Sequence, residues 1–190
     1  MEKSLTSKKV TIKNLVICSF CCSLTCVLAM FTVPIGVIPI TLANLAIYIS
    51  SGIFGGFRSS ISQFLYLLLV FMGCPFTSKL VGGPAYFAGP TAGYMLGYVP
   101  MAFLAGVIYK AYAKRSNNLI LKSVCLFLAL AIGTMVCYFF GTVWFSLQTK
   151  KEFLEVLKIC VFPFLVGDFI KIILSMGIIL KMEKFFNKYN

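Results

Sequence analysis

Long apolar runs, separated by short polar or glycine- and proline-rich joints, follow one another along the whole chain. Each helical residue adds about 1.5 Å, so a helix needs about 20 residues to cross the roughly 30 Å hydrocarbon core of a bilayer. The pattern predicts an all-α membrane protein, a bundle of about six transmembrane helices in one domain. We place the helices at residues 14–31, 41–57, 60–74, 91–112, 119–145 and 164–180.

The composition supports a membrane location. Of the 190 residues, 60% are hydrophobic and 12% are charged, which leaves too little polar surface for a water-soluble body. The net charge of +12 would suggest nucleic acid as a partner in a soluble protein. Here the basic residues lie at the ends of the apolar runs, so we expect membrane lipid around the chain and no nucleic acid.

The distribution of basic residues predicts the orientation. Lys171 lies inside an apolar run, and Lys79, Lys150, Lys151 and Lys158 fall on one side of the bundle. All the other basic residues fall on the opposite side, namely Lys3, Lys8, Lys9, Lys13, Arg58, Lys110, Lys114, Arg115, Lys122, Lys181, Lys184 and Lys188. Since basic loops stay in the cytoplasm, we expect both termini there.

The eight cysteines do not predict a metal site or a disulfide framework. All of them lie in or beside apolar runs, and the chain has no histidine. Cys18 and Cys21 form a C-x-x-C pair, but no second pair completes a zinc site. We expect the cysteines to pack as small hydrophobic residues, with no metal and no cofactor.

The strongest candidate site is the segment 163–171, which places Asp168 and Lys171 within an apolar run. A spacing of three brings both side chains to one helix face. Ionisable groups inside a membrane are costly, so they usually face a cavity and find partners. The segment indicates contact with a substrate, or alternatively an ion pair that only stabilises the bundle.

A second candidate is the glycine- and proline-rich segment 82–94, which contains Gly83, Tyr86, Thr91 and Tyr94. Its glycines allow close backbone approach, and its tyrosines offer flat faces with hydroxyl groups. Irregular backbone at membrane depth is tolerated where it lines a cavity. The segment predicts one wall of a pocket, with an ordinary loop as the alternative.

Two further features are weaker. The uncharged loop 33–41, which includes Val37 and Ile38, suits a cover over an apolar ligand or an interfacial turn. In the first apolar run, Ser19 and Ser23 alternate with cysteines in small-x-x-x-small patterns that let helices approach closely. This face predicts either internal packing or docking of another membrane subunit.

Several residue types needed for catalysis are scarce. Without histidine, and with only five acidic residues, the chain has little material for acid–base chemistry, so we expect no catalytic residues and no enzyme activity. The phosphate-binding pattern G-x-x-x-x-G-K-[ST] does not occur in the sequence. Active transport would therefore draw its energy from another subunit or an ion gradient.

Three segments, in this order, resemble the BioY family, the biotin-specific substrate-capture (S) components of energy-coupling factor (ECF) transporters. They are P-x-x-x-x-P-I-T-L at residues 34–42, a Gly-Gly-rich stretch that leads into G-P-T-A-G-Y at 89–94, and P-F-x-x-G-D-x-x-K at 163–171. The resemblance covers most of the chain. Ala92 stands where a second glycine is usual, and Ala43 where a glutamine is frequent, which puts single contacts in doubt.

The resemblance implies a six-helix S component in the plasma membrane of a prokaryote that binds biotin from outside. It would join a transmembrane scaffold (T) subunit and two cytoplasmic ATPases, tip over in the membrane and release biotin inward. Asp168 and Lys171 match the family's polar pair, the first loop matches its lid, and the small residues of the first helix, including Ser19 and Ser23, match the face that meets the scaffold. The expected biotin contacts are Asp168, Lys171, Gly83, Tyr86, Thr91, Tyr94, Lys79, Val37, Ile38 and Asn44.

Biotin fits these residues chemically. Its ureido ring offers two N–H donors and a carbonyl, which suit a carboxylate and an ammonium group, and Lys79 is the outer-side candidate for its carboxylate. The residues alone leave open which group meets which end. They also leave open an S component for another small vitamin, a solitary transporter, and a small membrane enzyme or structural subunit.

Overall fold

A computed structural model describes residues 12–33, 39–113 and 118–189, and these are mostly helical. Two very short strands interrupt the helices near the N-terminus. In chain order the elements are α1 (Ile12–Met30), β1 (Thr32–Val33), β2 (Ile40–Thr41), α2 (Ala43–Phe54), α3 (Gly56–Phe71), α4 (Pro84–Phe87), α5 (Ala92–Leu96), α6 (Tyr98–Ile108) with a π-helical turn (Tyr109–Ala113), α7 (Leu119–Thr149), α8 (Phe153–Cys160) and α9 (Phe162–Tyr189).

In the described part of the chain, four stretches are long and apolar enough to cross a membrane. They correspond to the first, fourth, fifth and sixth predicted helices and are Ile12–Met30, Ala92–Tyr112, Leu119–Thr149 and Phe162–Phe185. The second and third predicted helices, at 41–57 and 60–74, correspond to α2 and α3, which are apolar but shorter than the four long stretches. The joint before the last helix contains α8, a helix that the apolar pattern did not predict.

The short α2 and α3 meet at a glycine pair. Gly55 has φ +85°, a conformation that glycine adopts without strain, and it ends α2. A Cβ on Gly56 would lie 2.3 Å from the carbonyl oxygen of Phe103, and a Cβ on Gly106 would lie 2.2 Å from the Gly56 nitrogen. Helices α3 and α6 therefore pack backbone against backbone, as small residues permit in membranes.

The core lies between α2, α3, α6, α7 and α9. Its largest fully buried side chains include Tyr48, Tyr66, Met101, Leu126 and Leu130. The outer surface also carries many large apolar side chains, such as Phe20 and Phe64, which are 59% and 58% exposed. A surface that stays apolar on its outer side suits surrounding lipid rather than water.

The strands pair antiparallel, with Thr32 opposite Thr41 and Val33 opposite Ile40. The Leu42 amide extends the pairing by donating to the Phe31 carbonyl at 3.1 Å. This pairing holds the two ends of the first loop together at the start of α2. Val37 and Ile38, the expected lid residues, lie outside the described residues.

Candidate functional site

Asp168 and Lys171 lie in the first part of α9, and only 3% and 6% of their surfaces are exposed. The Lys171 Nζ donates to Asp168 Oδ1 at 2.8 Å, so the two groups form a buried ion pair across one helical turn. A buried pair of opposite charges is tolerated only when further hydrogen bonds satisfy its remaining atoms.

Three other elements supply those hydrogen bonds. Asp168 Oδ2 accepts from the Asn44 side-chain amide of α2 at 3.2 Å and from the Tyr138 hydroxyl of α7. Lys171 Nζ also donates to the Thr41 carbonyl of β2 at 2.9 Å. The charged pair is therefore the point at which α2, α7, α9 and the strand pair converge.

The polar cluster opens into a cavity with an empty volume of about 680 Å³, including its open mouth. Its walls come from the first loop and from nearly every helix, and its described lining residues are Ala29, Pro39, Thr41, Asn44, Tyr66, Thr77, Ser78, Tyr86, Thr91, Tyr94, Met95, Tyr98, Cys137, Tyr138, Cys160, Phe164, Asp168 and Lys171.

Aromatic side chains dominate the cavity wall. Five tyrosines and Phe164 surround the space next to the ion pair, namely Tyr66, Tyr86, Tyr94, Tyr98 and Tyr138. Tyrosine rings provide flat apolar contact area together with hydroxyl groups that can orient a ligand. The cavity thus combines a charged end with an aromatic body.

The glycine-rich segment is anchored as one wall of this cavity. The Trp144 indole of α7 donates to the Gly89 carbonyl at 3.1 Å, and the Gly83 amide donates to the Val70 carbonyl at 2.8 Å. A Cβ on Gly93 would lie 2.2 Å from the Trp144 Cβ, so α5 can approach α7 this closely only with glycine there. These contacts fix Tyr86, Thr91 and Tyr94 at the cavity.

The structure brings six of the ten expected ligand contacts together around the cavity: Asp168, Lys171, Asn44, Tyr86, Thr91 and Tyr94. Gly83 has φ +102° and starts α4 near the wall, but it is not among the described lining residues. Lys79 is exposed and is likewise absent from the described lining. Ser19 and Ser23, the expected docking residues, are exposed on α1.

Tyr138 is a site residue that the sequence interpretation missed. It lies in the long apolar run of α7, where no neighbouring polar residue drew attention to it. A hydroxyl group at membrane depth needs a hydrogen-bond partner, and this requirement was the available signal. Cys137 and Cys160 also line the cavity, although the sequence predicted only packing for the cysteines.

The groups around the cavity suit ligand binding. Within residues 12–33, 39–113 and 118–189, no group of three or more histidine, cysteine, aspartate or glutamate side chains could hold a metal ion. The ion pair offers both acceptor and donor groups, and the aromatic walls offer stacking surfaces. The fold and the site therefore define an apolar helix bundle around a cavity that combines a buried ion pair with aromatic side chains.

Comparison with known proteins gives the family. The profile of the BioY family matches residues 1–188, and the chain belongs to this family. A biotin transporter BioY from Rhizobium etli is 31% identical over 139 residues, which span 73% of this chain and 74% of that protein. A biotin transporter BioY from Lactococcus lactis is 32% identical over 154 residues, or 80% of each chain.

A solved structure agrees in fold. The crystal structure at 2.1 Å of the S-component for biotin from an ECF-type ABC transporter superposes with a TM-score of 0.80. It is 30% identical, and the match covers 91% of this chain and 92% of that chain. The chain therefore has the fold of an ECF S component.

Proposed function

We propose that this chain captures biotin and serves in its uptake as the substrate-specific S component of an ECF-type transporter. The observation that carries the proposal is the buried Asp168–Lys171 pair at the end of an aromatic cavity. It occurs in a chain of the BioY family, whose relatives from Rhizobium etli and Lactococcus lactis are named biotin transporters. Those relatives are transporters rather than enzymes.

The ureido ring of biotin is the moiety that matches the polar cluster. Asp168 accepts hydrogen bonds, and a carboxylate has about four lone-pair positions, so it can also accept from a ureido N–H. Two of the three N–H groups of Lys171 point to Asp168 and Thr41, which leaves one for the ureido carbonyl. The sulfur-containing bicycle would then stack among the tyrosines.

The remaining expected contacts belong to the other end of biotin. The valeryl chain would extend along Tyr86, Tyr94 and Thr91 toward the mouth of the cavity. Gly83 and Lys79 are not among the described lining residues. The exposed Lys79 side chain would attract the carboxylate of biotin. Val37 and Ile38 would cover the ligand once it is bound.

We propose that the chain forms six membrane helices, with both termini in the cytoplasm of a prokaryote. The four long apolar stretches cross fully, and α2 and α3 would complete the bundle as shorter helices. The basic residues then concentrate on the cytoplasmic side of the plasma membrane, in keeping with the positive-inside rule.

Uptake would need partners, because the chain has no phosphate-binding G-x-x-x-x-G-K-[ST] sequence. A membrane scaffold subunit and two cytoplasmic ATPases would supply the energy. The exposed Ser19 and Ser23 on α1 form the surface on which we place the scaffold, since small residues allow close helix approach.

Biotin binding by the purified chain in detergent tests the proposal. We expect a stoichiometric complex by titration calorimetry and a loss of affinity on the order of 100-fold in Asp168→Asn, since charge-assisted hydrogen bonds are lost. Asn44→Ala removes a donor to Asp168 without leaving Lys171 unpaired, and it should also lower the affinity for biotin. Glu155→Gln, at an exposed position of α8 outside the described cavity lining, is the control and should bind normally.

Two results would contradict biotin capture. One is equal competition by thiamine or riboflavin, which would indicate an S component for another vitamin. The other is unchanged biotin affinity in both Asp168→Asn and Asn44→Ala, with both variants eluting as folded protein.

A further inference from the structure

A second cavity lies between α1, α3 and α6, and it shares no lining residue with the cavity at Asp168. Its empty volume is about 2030 Å³, including its open side. The described residues that line this groove are Asn14, Leu15, Cys18, Ser19, Phe54, Gly55, Gly56, Phe57, Arg58, Ile61, Leu65, Gly106, Val107, Lys110 and Ala111.

The groove has an apolar wall along its length. Leu15 of α1, Ile61 and Leu65 of α3, and Val107 of α6 face the same space, and Phe57 is 71% exposed beside it. Hydrocarbon chains pack favourably against such side chains. This part of the groove suits the acyl chain of a lipid.

One end of the groove is cationic. Arg58 and Lys110 both line it and are exposed, and none of its described lining residues is acidic. The described ion pairs also lie elsewhere, at Lys122–Glu183, Lys151–Glu155 and Lys171–Asp168. An anion at this end would therefore meet two cations that no described carboxylate neutralises.

The start of α3 adds to this positive end. Gly55 precedes the 16-residue helix and gives no side-chain cap to its first amides. The Lys110 Cδ lies 3.6 Å from the position that a Cβ on Gly55 would occupy. The lysine side chain therefore lies over the junction of α2 and α3. Free amides at a helix start carry partial positive charge and favour anions.

Helices α2 and α3, which meet at this junction, are also short. At about 1.5 Å per residue, α2 and α3 are about 18 Å and 24 Å long, less than the roughly 30 Å hydrocarbon core. Where a short helix ends below the membrane surface, its polar groups are costly unless a partner reaches them. A lipid headgroup drawn into the groove would meet the amides, Arg58 and Lys110 together.

We propose that this groove binds one anionic phospholipid. The phosphate contacts Arg58, Lys110 and the first amides of α3, and an acyl chain follows the apolar wall between α1, α3 and α6. Basic pockets between membrane helices on the cytoplasmic side recognise anionic headgroups in this way. The inference rests on the membrane orientation proposed above, but biotin capture does not depend on it.

Native mass spectrometry of the full chain in detergent tests the lipid site. Phosphatidylglycerol and phosphatidylethanolamine with the same acyl chains are added in parallel. We expect at least about tenfold more of the singly lipidated protein with phosphatidylglycerol. Arg58→Gln with Lys110→Gln should lower phosphatidylglycerol binding to the phosphatidylethanolamine level and leave biotin binding unchanged.

Lys181→Gln with Lys184→Gln is the matched control. It removes the same charge from exposed positions of α9 outside the groove, and should keep the preference for phosphatidylglycerol. Equal binding of both lipids, or equal loss in the control pair, would refute a specific site. Displacement of phosphatidylglycerol by inorganic phosphate would show an anion site without a lipid requirement.

The groove includes Ser19, so a protein occupant gives a different result. If the Arg58 and Lys110 variant kept phosphatidylglycerol but no longer co-purified with the scaffold subunit, the groove would be a protein-docking face and the lipid proposal would be wrong. Because biotin affinity is measured on the same samples, a failure of the lipid site is distinguished from a failure of biotin capture.

Discussion

The carboxylate of Asp168 is held from three sides, by Lys171 of its own helix, by Asn44 of α2 and by Tyr138 of α7. The sequence predicted the pair at 168 and 171, because charged residues in an apolar run must find partners. It could not predict which neighbouring helices would provide those partners. The hydrogen bond from Tyr138 to Asp168 depends on the packing of α7 against α9, and no local sequence pattern encodes that packing.

Tyr138→Phe tests the role of the missed tyrosine. The substitution keeps the aromatic ring but removes one donor from a buried carboxylate, which costs about 1–3 kcal/mol. We expect biotin affinity to fall on the order of tenfold, since about 1.4 kcal/mol corresponds to a factor of ten. Titration calorimetry of the purified variant provides the measurement.

Tyr48→Phe is the control for this substitution. Tyr48 is fully buried, its hydroxyl pairs with Thr134 at 2.7 Å, and it is not among the residues that line the Asp168 cavity. It should bind biotin normally. Equal affinity losses in both variants would mean that Tyr138 acts only through general stability.

Among the secondary-structure elements, the long helices were predictable and the short ones were not. Helices α1, α7 and α9 follow directly from apolar runs, whose lengths the bilayer dictates. The division of residues 82–108 into α4, α5 and α6 depends on where the chain can approach α7 closely. Gly93 and Gly141 permit that approach, since a Cβ on Gly141 would lie 2.2 Å from the Tyr94 ring. Glycine frequency indicated an unusual segment, but not which helix it meets.

Gly93→Ala should separate α5 from α7. The added methyl group has no space beside Trp144, and overpacking of this kind costs about 1–3 kcal/mol. We expect a lower Tm for the purified protein in detergent and weaker biotin binding, because Tyr94 and Gly89 shift with α5. Gly177→Ala in α9, where no atom lies within 4 Å of the added group, should not lower the Tm. A Gly93→Ala protein as stable as Gly177→Ala would contradict the close contact.

At the scale of the whole molecule, the proposed binding cavity and the proposed partner surface lie apart. The cavity at Asp168 lies inside the bundle, whereas Ser19 and Ser23 are exposed on α1. The sequence predicted this division from the resemblance to the BioY family and from small residues on one helix. The two tasks should therefore respond separately to substitution.

Ser23→Trp should leave biotin binding by the isolated chain intact and reduce biotin uptake by cells that contain the scaffold and ATPase subunits. The bulky side chain would block close helix approach without reaching the cavity. Met135→Trp, at a position of α7 that is 68% exposed, is the control and should support normal uptake. Parallel loss of binding and uptake in Ser23→Trp would show that Ser23 only stabilises the monomer.

Thr41 belongs both to the strand pair and to the charged site. It pairs with Thr32 across the base of the first loop, and its carbonyl accepts a hydrogen bond from Lys171. If β2 moved away from the bundle, the buried ammonium group of Lys171 would lose the Thr41 carbonyl as an acceptor. The strand pair and the buried ion pair are therefore coupled through Thr41, and we expect the rate of ligand escape to depend on this one hydrogen bond.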